Sequence, residues 1–162
     1  MRHAFILALS LFCSAGVLAA ASQPFPPPTA NSPARNLQQE NRNLQLVYQF
    51  YQDFFNRHNL QAADRDLSPG YKQHNPHVPD GRAPFASYFA GYFKANPQAH
   101  SEITQYGTYG DRVFLRVHSV KNADDRGRAI VDIFRVEHGK IVEHWDSVQD
   151  VPATSANTNT MF

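Results

Sequence analysis

Cysteine is nearly missing from this chain: one, Cys13, in 162 residues. It falls in an N-terminal stretch where Arg2 and His3 precede an apolar run from Ala4 to Leu18, and Ala19-Ala20-Ala21 supplies small residues. That is the secretory signal pattern, too short for a membrane span. Phe12 is too bulky for lipoprotein processing at Cys13. Cleavage near Ala21 would leave a secreted or periplasmic chain without cysteine, hence with neither disulfides nor thiol chemistry. Its core must then be held by apolar burial.

Charge of one sign is also lacking. Lys and Arg number 15 against 14 Asp and Glu, and losing Arg2 with residues 1–21 removes the excess. No basic stripe or cluster occurs, which argues against nucleic acid and anionic membrane surfaces as partners. There is no Gly-rich phosphate loop and no Gly-x-Ser-x-Gly elbow. Aromatic residues, by contrast, make up 12% of the chain, enough to line a cavity or fill a core.

Residues 22–36, with five prolines between Pro24 and Pro33, read as an extended linker. Asn36 with Gln39 resembles a helix-capping box. From there Leu44, Val47, Tyr48, Tyr51 and Phe55 recur at helical spacing and predict a first helix over 37–56. A short helix is expected over 60–67, stopped by Ser68-Pro69-Gly70, then extended chain and turn over 71–81. A third helix is expected over 84–96, with Pro84 in its first turn. Four strands follow, over 101–109, 112–121, 128–137 and 140–149, joined by hairpin-type turns and therefore antiparallel. The polar tail, 152–162, is expected to be disordered or to pack on a partner subunit. This order predicts an α+β domain over 37–151, with a strongly curved, mostly antiparallel sheet packed on three helices around a conical pocket.

The chemistry-bearing feature is Asp132. It stands between Val131 and Ile133, on one strand face with Ile130, Phe134 and Val136. A carboxylate on an apolar face is costly to bury unless paired or used. Two readings stay open: a general base whose proton affinity burial raises, or a structural carboxylate paired with Arg116 or Arg128.

The motifs Tyr48-x-x-Tyr51-x-x-Phe54-Phe55-Asn56, Tyr71-x-Gln73-His74-Asn75-Pro76, Asp80-Gly81, Val131 to Val136 and Gly139 to Asp146 resemble the SnoaL-like group of the nuclear transport factor 2-like superfamily. The resemblance covers about Leu44 to Val151. It implies a cone-shaped fold, homodimeric through the outer face of its sheet. The same cone hosts polyketide cyclases, ketosteroid isomerases, dehydratases and proteins that only bind. The cyclases close a ring by an aldol step without cofactor, using a carboxylate base and a histidine on the preceding strand. Order and strand phase map these to Asp132 and His118.

The resemblance also places His74 as a third catalytic residue, orienting substrate, though Asn-Pro equally favours a plain capped turn. Whether His118 faces the pocket or a dimer partner is open. An apolar ligand is expected among Tyr51, Phe55, Phe89 and Phe134. Asn75, His144, Trp145 and Asp146 complete the expected lining. His144 and Asp146 could also pair structurally, and Trp145 could be core. His74 and His77 with His118 or His144 would suggest zinc, but Pro76 sits between the first two off any helix, so no metal or other cofactor is expected. The remaining alternatives are a non-catalytic dimeric carrier of an apolar molecule and a structural dimer module.

Overall fold

The computed structural model describes residues 35–162. The expected signal (1–21) and all but the end of the Pro-rich linker (22–36) lie outside them. No helix among the described residues is long and apolar enough to cross a membrane.

The Asn36 side chain caps helix α1 (Leu37–Tyr51), accepting from the Gln39 N–H at 3.0 Å. The helix continues into one wide π-helical turn, Gln52–Asn56. Such turns cluster at functional sites. Helix α2 (Gln61–Asp66) leads directly into strand β1 (Leu67–Gln73), so Ser68-Pro69-Gly70 is strand rather than the expected stop. Proline is tolerated there because β1 is an edge strand, bonded only to its neighbour β5. Helix α3 (Arg82–Ala95) and strands β2 (His100–Tyr109), β3 (Arg112–Val120), β4 (Arg128–Glu137) and β5 (Lys140–Asp150) complete the α+β order.

The sheet runs β1-β5-β4-β3-β2. Its one parallel pair is β1 with β5, and the rest is antiparallel. The inner face carries Val113, Leu115, Val117, Phe134, Val136 and Ile141, all buried against Val47, Phe50 and Phe54 of the first helix. A bulge at Val142 sets Ile141 and Glu143 opposite Val136 and Arg135. That extra residue turns Ile141 inward, where strict alternation would place it outside.

The end of the tail (152–162) lies on this chain's own outer sheet face. The Arg116 Nε–H donates to the Met161 carbonyl at 3.1 Å, and the Phe162 ring stacks on His118 at 4.1 Å. At the opposite end of the sheet, buried Glu40 ties α1 to β2. It accepts from Arg35 and from the Thr108 hydroxyl. The Arg35 hydrogen bond, aided by Thr108 and the Gly110 N–H, lowers the Glu40 carboxyl from 4.5 to about 2.

A depressed folded-state pKa adds stability above the unfolded value, and that stability is lost as pH falls through the folded one. Glu40→Gln should therefore lower the melting temperature at pH 7. The gap from the parent should close as pH drops from about 4.5 to about 2, read by thermal unfolding across that range.

Candidate active site

Asp132 and His144 meet under the open end of the sheet. Both are buried, 4% and 7% exposed. β4 brings Asp132 inward between Ile130 and Phe134, and β5 brings His144 directly opposite Phe134. The His144 Nε2 lies 2.8 Å from Asp132 Oδ1. The Tyr51 hydroxyl, at the end of α1, donates to Asp132 Oδ2 at 3.0 Å. Burial first, then the negative charge of Asp132, pushes the Tyr51 phenol well above its ordinary range. Tyr51 therefore stays protonated and serves as donor.

Gln73 settles the protons of this pair. Its Oε1 accepts from the Asn75 backbone N–H at 3.0 Å, and its Nε2 sits 3.2 Å from the Tyr71 hydroxyl. The amide orientation is thereby assigned by its network. The same Oε1 lies 2.9 Å from His144 Nδ1. An oxygen cannot donate, so Nδ1 carries hydrogen. Nε2 then faces a carboxylate, and the contact needs one further proton, on Nε2 or on Asp132. Asp132 and His144 together are thus a neutral pair sharing a proton.

Asp146 sits across from Asp132 in the β4–β5 register. Like charges directly opposite repel, and the Asn75 amide offsets this by donating to both Asp146 oxygens, at 2.9 and 2.7 Å. Asp132, His144 and Asp146 bring their ligand atoms within 4.8 Å of one another, a geometry a divalent cation can use. Each of those atoms already has the hydrogen-bond partner just named, and no buried side-chain nitrogen or oxygen among the described residues lacks one. The donor set suits proton sharing better than metal ligation, because a cation would have to displace Asn75 and the His144 proton.

The pair opens on a cavity of about 480 Å³, a size suited to a small organic molecule. Tyr51, Phe55, Phe89, Asn75, His144 and Asp146 line it with Asp132, as the sequence leads one to expect. Phe134 does not. It is packed beneath, 4.6 Å from the His144 ring, and buttresses that ring. The cavity is also less apolar than expected, since Gln73, Ser101, Ser119, Lys121 and Arg128 share its wall.

Three expected site residues lie elsewhere. His118 alternates with buried Val117 and so faces outward, its Nε2 2.9 Å from the Arg126 carbonyl and its ring under Phe162. His74 and Trp145 also face out. Their rings stack at 4.7 Å, His74 Nε2 meets Glu143 at 2.8 Å, and the Arg112 guanidinium lies over Trp145 at 5.1 Å. The histidine partner of Asp132 is therefore on the following strand, not the preceding one. Nor do the histidines converge: His74 and His118 face outward, while His144 faces the cavity that His77 helps to line. Asp132 pairs with neither Arg116 nor Arg128. Gln73 is not among the expected site residues, though alternation through Gln73-His74-Asn75 implies that the first and third share a face.

Residues 47–144 match the family model described as a SnoaL-like domain. The chain belongs to the SnoaL-like family. Solved structures agree with this SnoaL-like fold. A candidate polyketide cyclase from Bacillus cereus is 20% identical over 72% of this chain and 80% of that one, with a TM-score of 0.61. A SnoaL-like protein of unknown function from Burkholderia thailandensis is 16% identical over 68% and 96%, at 0.59. A candidate isomerase of the SnoaL-like family from Agrobacterium tumefaciens is 11% identical over 67% and 98%, at 0.58. At such identities the likeness concerns the nuclear transport factor 2-like cone alone. A search of curated proteins finds no match.

Removing the Tyr51 hydroxyl leaves Asp132 Oδ2 without its donor inside a buried site. Tyr51→Phe should cost about 1–3 kcal/mol of stability, measured by denaturant unfolding. A loss below about 0.5 kcal/mol would mean that the hydrogen bond contributes little net stability.

Proposed function

We propose that this SnoaL-like protein is a cofactor-free acid–base enzyme acting on a carbonyl compound, by aldol-type cyclisation, isomerisation or dehydration. The single observation that carries this is the buried Asp132–His144 pair at the floor of an open cavity. In the ionised form of the pair, His144 holds the shared proton and Asp132 is a carboxylate. That carboxylate takes a proton from the carbon next to the substrate carbonyl. The C–H bond breaks, an O–H bond forms on Asp132, and the electron pair moves to the carbonyl oxygen. Once Asp132 is protonated it no longer needs the Tyr51 donor, and the phenol hydrogen can turn to the enolate oxygen. Returning the Asp132 proton to carbon completes an isomerisation. In a cyclisation the enolate carbon attacks a second carbonyl carbon of the same molecule, a C–C bond forms as that C=O π bond breaks, and the Asp132 proton passes to the resulting alkoxide. Export from the cytoplasm, which rests on residues 1–21, and dimerisation through the outer sheet face belong to the same proposal. Val131, 47% exposed, and half-exposed Phe114 on that face favour a dimer.

One observation favours a second reading, that of a carrier that only binds. Both Asp132 oxygens already have partners within the protein.

The two readings separate in deuterium exchange at the carbons flanking the ketone of 4-phenylbutan-2-one, followed by proton NMR in heavy water. A general base contributes about 10²–10⁴-fold, so Asp132→Asn should slow exchange by a factor in that range. Binding of the ketone without exchange by the parent chain, or equal exchange in the variant, would favour the carrier.

A further inference from the structure

The cavity has a second chemical pole, away from Asp132. Arg128 opens β4, and Ile130 and Asp132 follow it along the same inward face. At about 3.3 Å per residue, four residues set the Cα atoms of Arg128 and Asp132 about 13 Å apart along the strand. Lys121, just past the end of β3, lines the same rim. Between the two poles the wall is apolar, with Ile130 and Val148 on the sheet side and Phe89 and Tyr92 from α3.

Asp125 lies close enough for its charge to be felt by both cations, but it makes no direct ion pair with either. Among the described residues neither Arg128 nor Lys121 is in an ion pair. Asp150 is the register partner of Arg128 and lines the rim, yet it forms no ion pair with Arg128. Asp125 is occupied by the Lys121 and Gly127 backbone N–H groups at 2.9 and 3.0 Å. The Tyr92 hydroxyl is a polar neighbour of the guanidinium. At the other pole the Asp132–His144 pair is neutral and Asp146 is held by Asn75. An anionic group is therefore better placed at the rim, beside two cations without ion-pair partners, than at the floor beside Asp146.

We infer that the substrate is an elongated carbonyl compound with a carboxylate or comparable anion at the end remote from its reacting carbon, held by Arg128 and Lys121. This rests on the proton-transfer reading for the place of the reacting carbon. A planar guanidinium suits a carboxylate because it can donate two parallel hydrogen bonds.

The test uses the full chain and three probes of equal length, decanoate, decan-1-ol and decylamine, by isothermal titration calorimetry. Decanoate should bind about 10-fold or more tighter than decan-1-ol, with decylamine weakest, and salt should weaken decanoate alone. Arg128→Gln with Lys121→Gln should abolish the preference while decan-1-ol still binds, which also reports that the variant is folded. Arg128→Lys should restore part of it. Equal affinity for the three probes in the parent chain, or a preference that survives both substitutions, overturns the inference. No probe is a ketone, so this failure leaves the role of Asp132 standing. Conversely, a base that fails in deuterium exchange leaves the anion preference standing.

Discussion

Everything at the site follows from one constraint, the burial of a carboxylate at Asp132. An isolated charge at that depth would cost several kcal/mol. Its partners must therefore arrive from distant parts of the chain. Tyr51 comes from the end of the first helix and His144 from the last strand, and Gln73 on the edge strand steadies His144 from behind. The curvature of the sheet and the parallel pairing of β1 with β5 are what bring these three together. The fold and the acid–base site are thus one arrangement: the contacts that make Asp132 tolerable are also those that control its proton.

Much of this was legible in the chain. Hairpin turns at Gly110-Asp111 and His138-Gly139 and alternating apolar residues placed β2 to β5 within a residue or two. Asp132 stood out because it broke an apolar face, and the wall residues Tyr51, Phe55 and Phe89 followed from helical spacing. What was not legible depended on phase and on pairing. Periodicity says which residues of β3 share a face but not which face is inward, so the side taken by His118 was not legible, and its catalytic role rested on the family resemblance alone. The bulge at Val142 shifts the phase of β5 by one residue, and no local signal announces it. His74 and Gln73 are neighbours on one strand, and only its docking beside β5 shows that Gln73 points in and His74 out. The family pattern of a histidine on the preceding strand also misled, because in this chain the strand after Asp132 supplies it.

The cavity is a graded environment rather than a greasy cup. At its floor lies a neutral, internally hydrogen-bonded pair beside Asp146. In the middle are aromatic and aliphatic walls, and at the rim are two cations that form no ion pair among the described residues. Under the proposed reading, such a gradient orients an elongated molecule with its polar reacting end down and its anionic end out. Orientation of this kind is a large part of what a binding site contributes to a reaction. On the outer face, Met161 and Phe162 cover Arg116 and His118, while Phe114 and Val131 stay exposed.

The central claim is the proton arrangement: His144 keeps hydrogen on Nδ1, bonded to Gln73, and shares a second proton with Asp132 through Nε2. Long-range proton–nitrogen correlation NMR of the histidine-labelled chain at pH 7 reads each ring nitrogen directly. The account predicts a protonated Nδ1 for His144, an Nε2 that senses the shared proton, and a changed Nε2 signal in Asp132→Asn. A bare Nδ1, with the single ring proton on Nε2, would contradict it.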